Sequence, residues 1–179
     1  PVYKLLGAYR DKVPAYASTM CGDDLADGLG TPEAYAEYAL ACKAQGYPAF
    51  KLHSWQPPFS RDPRRDAEAC AAVRRAVGPD MHLMLDSYHY YTREEALYLG
   101  RALEDLDFHW FEEPMDEHSI SSYVWLTQQL NIPIVGPETA GGLFFTRAEW
   151  ILQGASDISR YDVHLGGITA MMKAVHLCE

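Results

Sequence analysis

The chain alternates between short apolar segments and amphipathic segments over almost its whole length. Six apolar segments have the composition of strands, and each is followed by a stretch with the composition of a helix. The strands are predicted at residues 13–18, 49–53, 81–86, 108–113, 132–136 and within 157–165. This repetition predicts right-handed βαβ units, and the nearly continuous apolar character of the strands predicts a parallel sheet covered on both faces.

Helix start signals lie between the predicted strands. Thr31 with Pro32 and Asp62 with Pro63 combine a capping residue with a proline suited to a first turn. Thr92 begins the capping-box pattern T-x-x-E, and Thr146 begins a second one. The predicted helices span residues 31–47, 62–78, 92–105, 119–130, 146–154 and 169 to the end.

Two architectures fit this alternation, a doubly wound sheet and a (β/α)8 barrel. No glycine-rich phosphate loop follows the first strand, and polar residues recur at strand ends, so the barrel is favoured. A closed barrel needs eight strands and typically about 250 residues, whereas this chain has 179. We therefore expect an incomplete barrel of about six βα units, one partial catalytic domain over residues 1–179. A complete six-unit open sheet is the alternative.

The overall charge limits the classes of partner. Fifteen Lys and Arg residues against 25 Asp and Glu residues give a net charge of −10, which argues against a general nucleic-acid or anionic-membrane binder. No apolar run approaches the roughly 18 to 20 residues of a membrane span, and the first residues lack a signal-peptide pattern. The four cysteines form no C-x-x-C motif, which favours free thiols in a reducing compartment. We expect a cytoplasmic protein.

Three carboxylates, Asp86, Glu112 and Glu138, fall at or just after the ends of successive strands, 26 residues apart. In a barrel, one βα repeat per step brings all three to the same rim, and adjacent strands lie about 4.8 Å apart. Three close carboxylates repel one another and raise one another's pKa unless a cation is present. Because all the ligand atoms are oxygens, we expect Mg²⁺, with Mn²⁺ as a substitute.

The second predicted strand ends in Lys51-Leu52-His53. Strand alternation places Lys51 and His53 on the same side. A Lys and a His that face a metal ion at a barrel mouth are candidates for a general base.

The chain resembles the enolase superfamily, and within it the mandelate racemase-like group. The motifs that carry the resemblance are PVYKLLGAYRDKVPAYAS, AFKLH, LMLDSYHYY, WFEEP, GPET and the GGIT after the last strand. It implies a modified TIM barrel whose capping domain precedes residue 1 and whose last two strands follow Glu179. It also implies a homo-oligomer and Mg²⁺-dependent abstraction of the proton α to a carboxylate of a small-molecule substrate, through a metal-stabilised ene-diolate.

The resemblance assigns the metal ligands to Asp86, Glu112 and Glu138, with Glu113 the less favoured residue of the Glu pair. Lys51 and His53 take the places of a K-x-K motif whose second Lys is the base on one face. His53 is a departure from that motif, and it is either a base or a substrate-binding residue.

The resemblance also implies a second base, a His on strand seven that is oriented by an Asp on strand six. Asp162 resembles that Asp, but the register is ambiguous, because a count back from Gly166-Gly167 also allows Tyr161 at that position. His164 alternates with Asp162 and is a candidate substrate contact or a structural histidine.

Further candidate substrate contacts are Trp55, Tyr88 and His89. Tyr88 lies two residues past Asp86, where parts of this group contact metal-bound substrate or protonate a leaving hydroxyl, and His89 is a neighbour that could replace it. Trp55 either stacks on a sugar face or covers the barrel top.

The expected activity is that of a lyase, dehydrating an aldonic or aldaric acid. A racemase, epimerase or cycloisomerase acting on a hydroxy acid shares the first half-reaction. A third reading is a non-catalytic or degraded barrel, for which the K-x-H motif is the best support.

Overall fold

The computed structural model describes residues 1–20, 28–53 and 61–179. One parallel sheet contains β1 (Ala17–Ser18), β2 (Ala49–His53), β3 (His82–Asp86), β4 (Trp110–Glu112), β5 (Ile134–Gly136) and β6 (Ile158–Ser159). The helices are α1 (Val2–Leu5), α2 (Pro32–Ala44), α3 (Pro63–Val77), α4 (Arg93–Asp105), α5 (Ile120–Gln129), α6 (Leu143–Gln153) and α7 (Gly167–Cys178).

The order of the strands decides between the two architectures. The sheet runs β1-β2-β3-β4-β5-β6 without a reversal. A doubly wound sheet reverses its order at a switch point, which places helices on both faces. Right-handed crossovers that always advance in one direction place every helix on the same face, as in a barrel. Four pairs of consecutive helices contact each other accordingly: α2 with α3, α3 with α4, α4 with α5, and α6 with α7. The expectation of a partial (β/α) barrel is confirmed.

The two faces of the sheet have different compositions. The face toward the helices is apolar and belongs to one continuous core with the helices; it includes Phe50, Leu52, Leu83, Leu85, Phe111 and Ile134. Full burial of such a side chain contributes about 1.5–3 kcal/mol to folding. The alternating positions, which include Lys51, His53, Asp86 and Glu112, point to the opposite face, the inside of the barrel.

Some predicted boundaries are wrong. The second capping box does not form, because the left-handed Gly142 (φ 85°) precedes α6 and places Thr146 inside the first turn of that helix. The first capping box is confirmed by reciprocal hydrogen bonds between Thr92 and Glu95. The first strand is shorter than predicted, Ala17–Ser18 rather than residues 13–18, whereas the last, Ile158–Ser159, lies within the predicted range of 157–165.

The described helices and cysteines can be compared with the expectations for membrane spans and free thiols. Among the described residues, no helix combines the length and the apolar composition that crossing a membrane requires. Cys42 and Cys70 are free and buried, and Cys178 is free and exposed.

Candidate metal and proton-transfer site

Strand pairing aligns the first part of the site. The parallel register places His53 beside Asp86, and Asp86 beside Glu112, at the last residues of three adjacent strands. Glu138 lies two residues past the end of β5. The strand ends therefore bring one titratable side chain after another to the same rim.

Lys51 connects two of the predicted metal ligands. Its Nζ lies 3.1 Å from Asp86 Oδ2 and 2.8 Å from Glu112 Oε2, and all three side chains are buried. The ring of Tyr16 also faces this nitrogen, 5.6 Å from the ring centroid. Burial by itself lowers the pKa of Lys51, but the charges of Asp86 and Glu112 outweigh burial and raise that pKa. This arrangement favours Lys51 as a fixed cation over a proton acceptor.

His53 contacts the same aspartate. Its Nε2 lies 3.1 Å from Asp86 Oδ2, and its Nδ1 is buried without a hydrogen-bond partner among the described residues. Burial alone raises the pKa of Asp86, but the hydrogen bond from His53 and the charge of Lys51 lower it to about 2. An ionised Asp86 holds the proton of a neutral His53 on Nε2 and leaves Nδ1 with a free lone pair.

Arg160 is a site residue that the sequence reasoning missed. Its Nη1 lies 2.6 Å from Glu112 Oε1, 2.5 Å from Glu138 Oε2 and 3.5 Å from Glu113 Oε1. Its backbone N–H donates to the carbonyl of Gly136, so the residue continues the ladder of β6. An alternation count from Ser159 would have placed it on the inner face.

The donor atoms of this site fit a divalent cation. One guanidinium nitrogen contacts both Glu112 and Glu138, and Lys51 joins Glu112 to Asp86. The three predicted ligands therefore form one group that already attracts positive charge. Carboxylate oxygens of this kind are the donors that Mg²⁺ takes in proteins.

Glu113 belongs to a second group of donors beside the first. Its side chain is buried, and its backbone has a left-handed conformation (φ 48°). Its Oε2 lies 3.4 Å from His89 Nε2, and ligand atoms of His89, Glu113 and Glu117 all lie within 4.8 Å of one another. Burial, then the charges of Glu117 and Asp86, raise the pKa of Glu113 to about 10. In the metal-free protein this carboxyl group is therefore protonated at neutral pH.

The raised pKa predicts how stability depends on pH. The folded-state value of Glu113 lies above its ordinary value of 4.5, so its contribution is fully present below about pH 4.5 and is lost as the pH rises toward 10. We expect Glu113→Gln to remove this loss, so that the variant gains stability relative to the parent as the pH rises. Thermal unfolding in chelator at pH 5, 7 and 9 tests this, with the exposed Glu68→Gln as the control. Parallel pH profiles for parent and variant would contradict the prediction.

Glu117 and Arg147 fix the loop that carries Glu138. The buried Glu117 carboxylate accepts hydrogen bonds from three consecutive backbone N–H groups of residues 138–140, at 2.6 to 2.8 Å, and from the Thr139 hydroxyl at 2.9 Å. Arg147, also buried, donates to three carbonyl groups of residues 137–140 at 2.5 to 3.5 Å. We call these two residues the clamp; the sequence reasoning missed both.

The predicted substrate contacts lie at the same rim, with one outside the described residues. Tyr88 is half-exposed and left-handed (φ 50°), and its backbone N–H donates to Asp86 Oδ1 at 3.1 Å. His89 is also left-handed (φ 65°), and its Nε2 lies 3.4 Å from the hydroxyl of Thr139. Such backbone strain in non-glycine residues is concentrated at functional sites. Trp55 lies outside the described residues.

Asp162 and His164 form a pair of their own. The Oδ1 of Asp162 lies 2.7 Å from His164 Nδ1, with both side chains largely exposed beyond the end of β6. Because the strand ends at Ser159, the strand alternation expected for these two residues does not apply. Tyr161, the other candidate for the strand-six position, donates its hydroxyl to the carbonyl of Leu165. Arg160, rather than either candidate, contacts the carboxylates.

The family model described as "Enolase C-terminal domain-like" matches residues 34–179. The chain belongs to the enolase superfamily. Membership confirms the resemblance drawn from the motifs and agrees with the order of the strands.

Several enolase-superfamily relatives are similar over the whole chain. The crystal structure of D-glucarate dehydratase from Agrobacterium tumefaciens, complexed with magnesium, is 57% identical with a TM-score of 0.94, and the match covers 99% of this chain and 47% of that one. L-talarate/galactarate dehydratase of Salmonella typhimurium is 32% identical, over 99% of this chain and 42% of its own length. D-galactarolactone cycloisomerase of Agrobacterium fabrum is 32% identical, over 96% and 43%. The chain spans less than half the length of each of these relatives.

Proposed function

We propose that this chain supplies the catalytic barrel of a Mg²⁺-dependent acid-sugar dehydratase. The observation that carries the proposal is the convergence of Asp86, Glu112 and Glu138 with Lys51 and His53 on the inner face of the strand ends. The dehydratases among the relatives support the choice of acid sugars.

Asp86, Glu112 and Glu138 would hold the metal ion. When bound there, the ion would polarise the substrate carboxylate and offset the negative charge that develops as the α-proton leaves. Lys51 adds a second fixed positive charge beside Asp86 and Glu112. A positive charge that is already in place costs no reorganisation during the reaction.

His53 is the proposed base. With Nε2 held by Asp86, the free lone pair on Nδ1 takes the α-proton as the C–H bond breaks. The β-hydroxyl then leaves as water, after taking a proton from an acid for which His89 and Tyr88 are the candidates. The remaining enol tautomerises to a 2-keto acid, so the step balances as the loss of one water molecule.

Product analysis tests the proposed reaction. The full protein that carries this chain is incubated with Mg²⁺ and a panel of aldonic and aldaric acids, and 2-keto acids are quantified. The expected result is keto product from at least one acid. A lack of turnover across a broad panel would count strongly against a dehydratase.

An isomerase would share the first step with the dehydratase. The cycloisomerase among the relatives supports this second candidate function. The same incubation in D₂O distinguishes it, because reprotonation at the α-carbon incorporates deuterium without keto product. An absence of both exchange and product would instead favour a non-catalytic barrel.

Metal binding provides a test that is independent of the substrate. We expect Glu138→Gln to weaken Mn²⁺ binding by at least about tenfold, since even residues outside the coordination shell cost 10- to 100-fold when changed. Calorimetric titration of the chelator-stripped full protein measures this, with the exposed Glu149→Gln on α6 as the control. Equal affinities for parent and Glu138→Gln would remove Glu138 from the ligand set.

A further inference from the structure

Arg160 has a contact pattern that is unusual for an arginine. A single nitrogen, Nη1, lies within 3.5 Å of oxygen atoms from Glu112, Glu113 and Glu138. That nitrogen carries two N–H groups, so it cannot donate a hydrogen bond to all three. It therefore lies among the carboxylates in the manner of a central positive charge rather than a forked hydrogen-bond donor.

Burial makes a positive charge at this place necessary. The side chain of Glu112 is 3% exposed, and that of Glu138 is 26% exposed. Like charges held together out of water repel strongly. Lys51 neutralises the side of the group formed by Asp86 and Glu112. Within the part of the chain that the structure describes, Arg160 provides the ion pair to Glu138.

The same oxygen atoms are the ones that a metal ion would need. Mg²⁺ binds carboxylate oxygens at about 2.0–2.1 Å and requires near-octahedral geometry. Glu112 Oε1 and Glu138 Oε2 are engaged by Nη1, and two cations at such short separation repel each other. Arg160 is tethered at the end of β6 and one third exposed, so its side chain has solvent into which it can withdraw.

We propose that Arg160 is an internal counter-cation, which holds the metal-binding carboxylates together in the metal-free protein and competes with the divalent ion for them. The inference rests on the proposed function, because it takes Asp86, Glu112 and Glu138 as the metal ligands. Two consequences follow. Loss of Arg160 destabilises the metal-free protein, and the same loss tightens metal binding.

The test compares Arg160→Met with the parent in the full protein after removal of metal. Calorimetric titration with Mn²⁺ alone gives the affinity, and thermal unfolding in chelator gives the metal-free midpoint. We expect Arg160→Met to bind Mn²⁺ about tenfold more tightly, in the range usual for coupled sites, and to unfold at a lower temperature without metal. Arg101→Met on α4, which removes an exposed arginine paired with Glu104, controls for net charge and leaves Mn²⁺ affinity unchanged.

Each outcome bears on the inference. If the parent binds Mn²⁺ and Arg160→Met binds it with equal or lower affinity, Arg160 is not a counter-cation, whereas the proposed metal site is retained. An absence of binding by parent and variant alike overturns the metal site and the counter-cation together. If Arg160→Met does not fold without metal, rescue of its folding by Mn²⁺ supports the proposal. In that case the Mn²⁺ affinity is measured on Arg160→Lys, which moves the positive charge, and an affinity equal to that of the parent overturns the proposal.

Discussion

His53→Gln is expected to slow exchange of the substrate α-proton by roughly 10² to 10⁴-fold, the usual contribution of a general base. The glutamine amide keeps a donor at a reach similar to that of His53 Nε2, which contacts Asp86 Oδ2 at 3.1 Å. It has no basic nitrogen that can accept the α-proton. Exchange is measured by NMR in D₂O with an acid that the full protein turns over.

A matched control separates chemistry from damage to the fold. His82→Gln makes the same substitution at the exposed first residue of β3, at the opposite end of the strands from the site, and is expected to leave exchange unchanged. Mn²⁺ affinity of His53→Gln shows whether Asp86 still binds metal. Exchange within a few-fold of the parent would assign His53 to substrate binding. A joint loss of exchange and metal binding would assign it to holding Asp86.

Glu117→Ala is expected to lower the free energy of unfolding by about 3–5 kcal/mol, the cost of breaking a buried charged interaction. The substitution leaves the backbone N–H groups of residues 138–140 without their acceptor and removes a negative charge that raises the pKa of the buried Arg147. A buried donor without a hydrogen-bond partner lowers the stability of the folded state, because water no longer satisfies it. Urea unfolding of the full protein, followed by circular dichroism, measures the change.

Glu149→Ala on the exposed face of α6 is the control for this substitution and should stay within about 0.5 kcal/mol of the parent. The clamp also predicts a second effect, weaker Mn²⁺ binding by Glu117→Ala, because the loop that carries Glu138 loses its fixed position. A variant as stable as the parent would show that water or neighbouring groups replace the carboxylate, and the clamp would be refuted.

The parts of the fold that the sequence predicts are those set by local patterns. The bounds of β2, Ala49–His53, agree with the prediction, which placed the start of the strand directly after Pro48. Asp86, Glu112 and Glu138 could be grouped in advance because one βα repeat separates each from the next, and the repeat places them at one rim. Arg160 needed the end of β6 to be placed at Ser159 before an alternation count could assign it to the inner face. Glu117 lies in a turn outside the strands, so the βα repeat does not point to it.

Other differences have equally local causes. The T-x-x-E pattern at Thr146 is a four-residue match, and the preceding Gly142 in a left-handed conformation starts the helix earlier. The strand alternation expected for Asp162 and His164 depended on a strand that ends at Ser159. In the first case the helix begins before the pattern, and in the second the alternation was extended past the last residue of the strand.

The separation of the two sheet faces has a consequence for how variants of this chain should be sorted. Within β2, the even-numbered Phe50 and Leu52 belong to the apolar core, and the odd-numbered Lys51 and His53 contact Asp86. A one-residue step along a strand thus moves a substitution from the apolar core to the candidate site. Whether a strand position is odd or even therefore predicts whether a substitution changes stability or the candidate site, so the site can vary at one set of positions while the other set keeps the barrel intact.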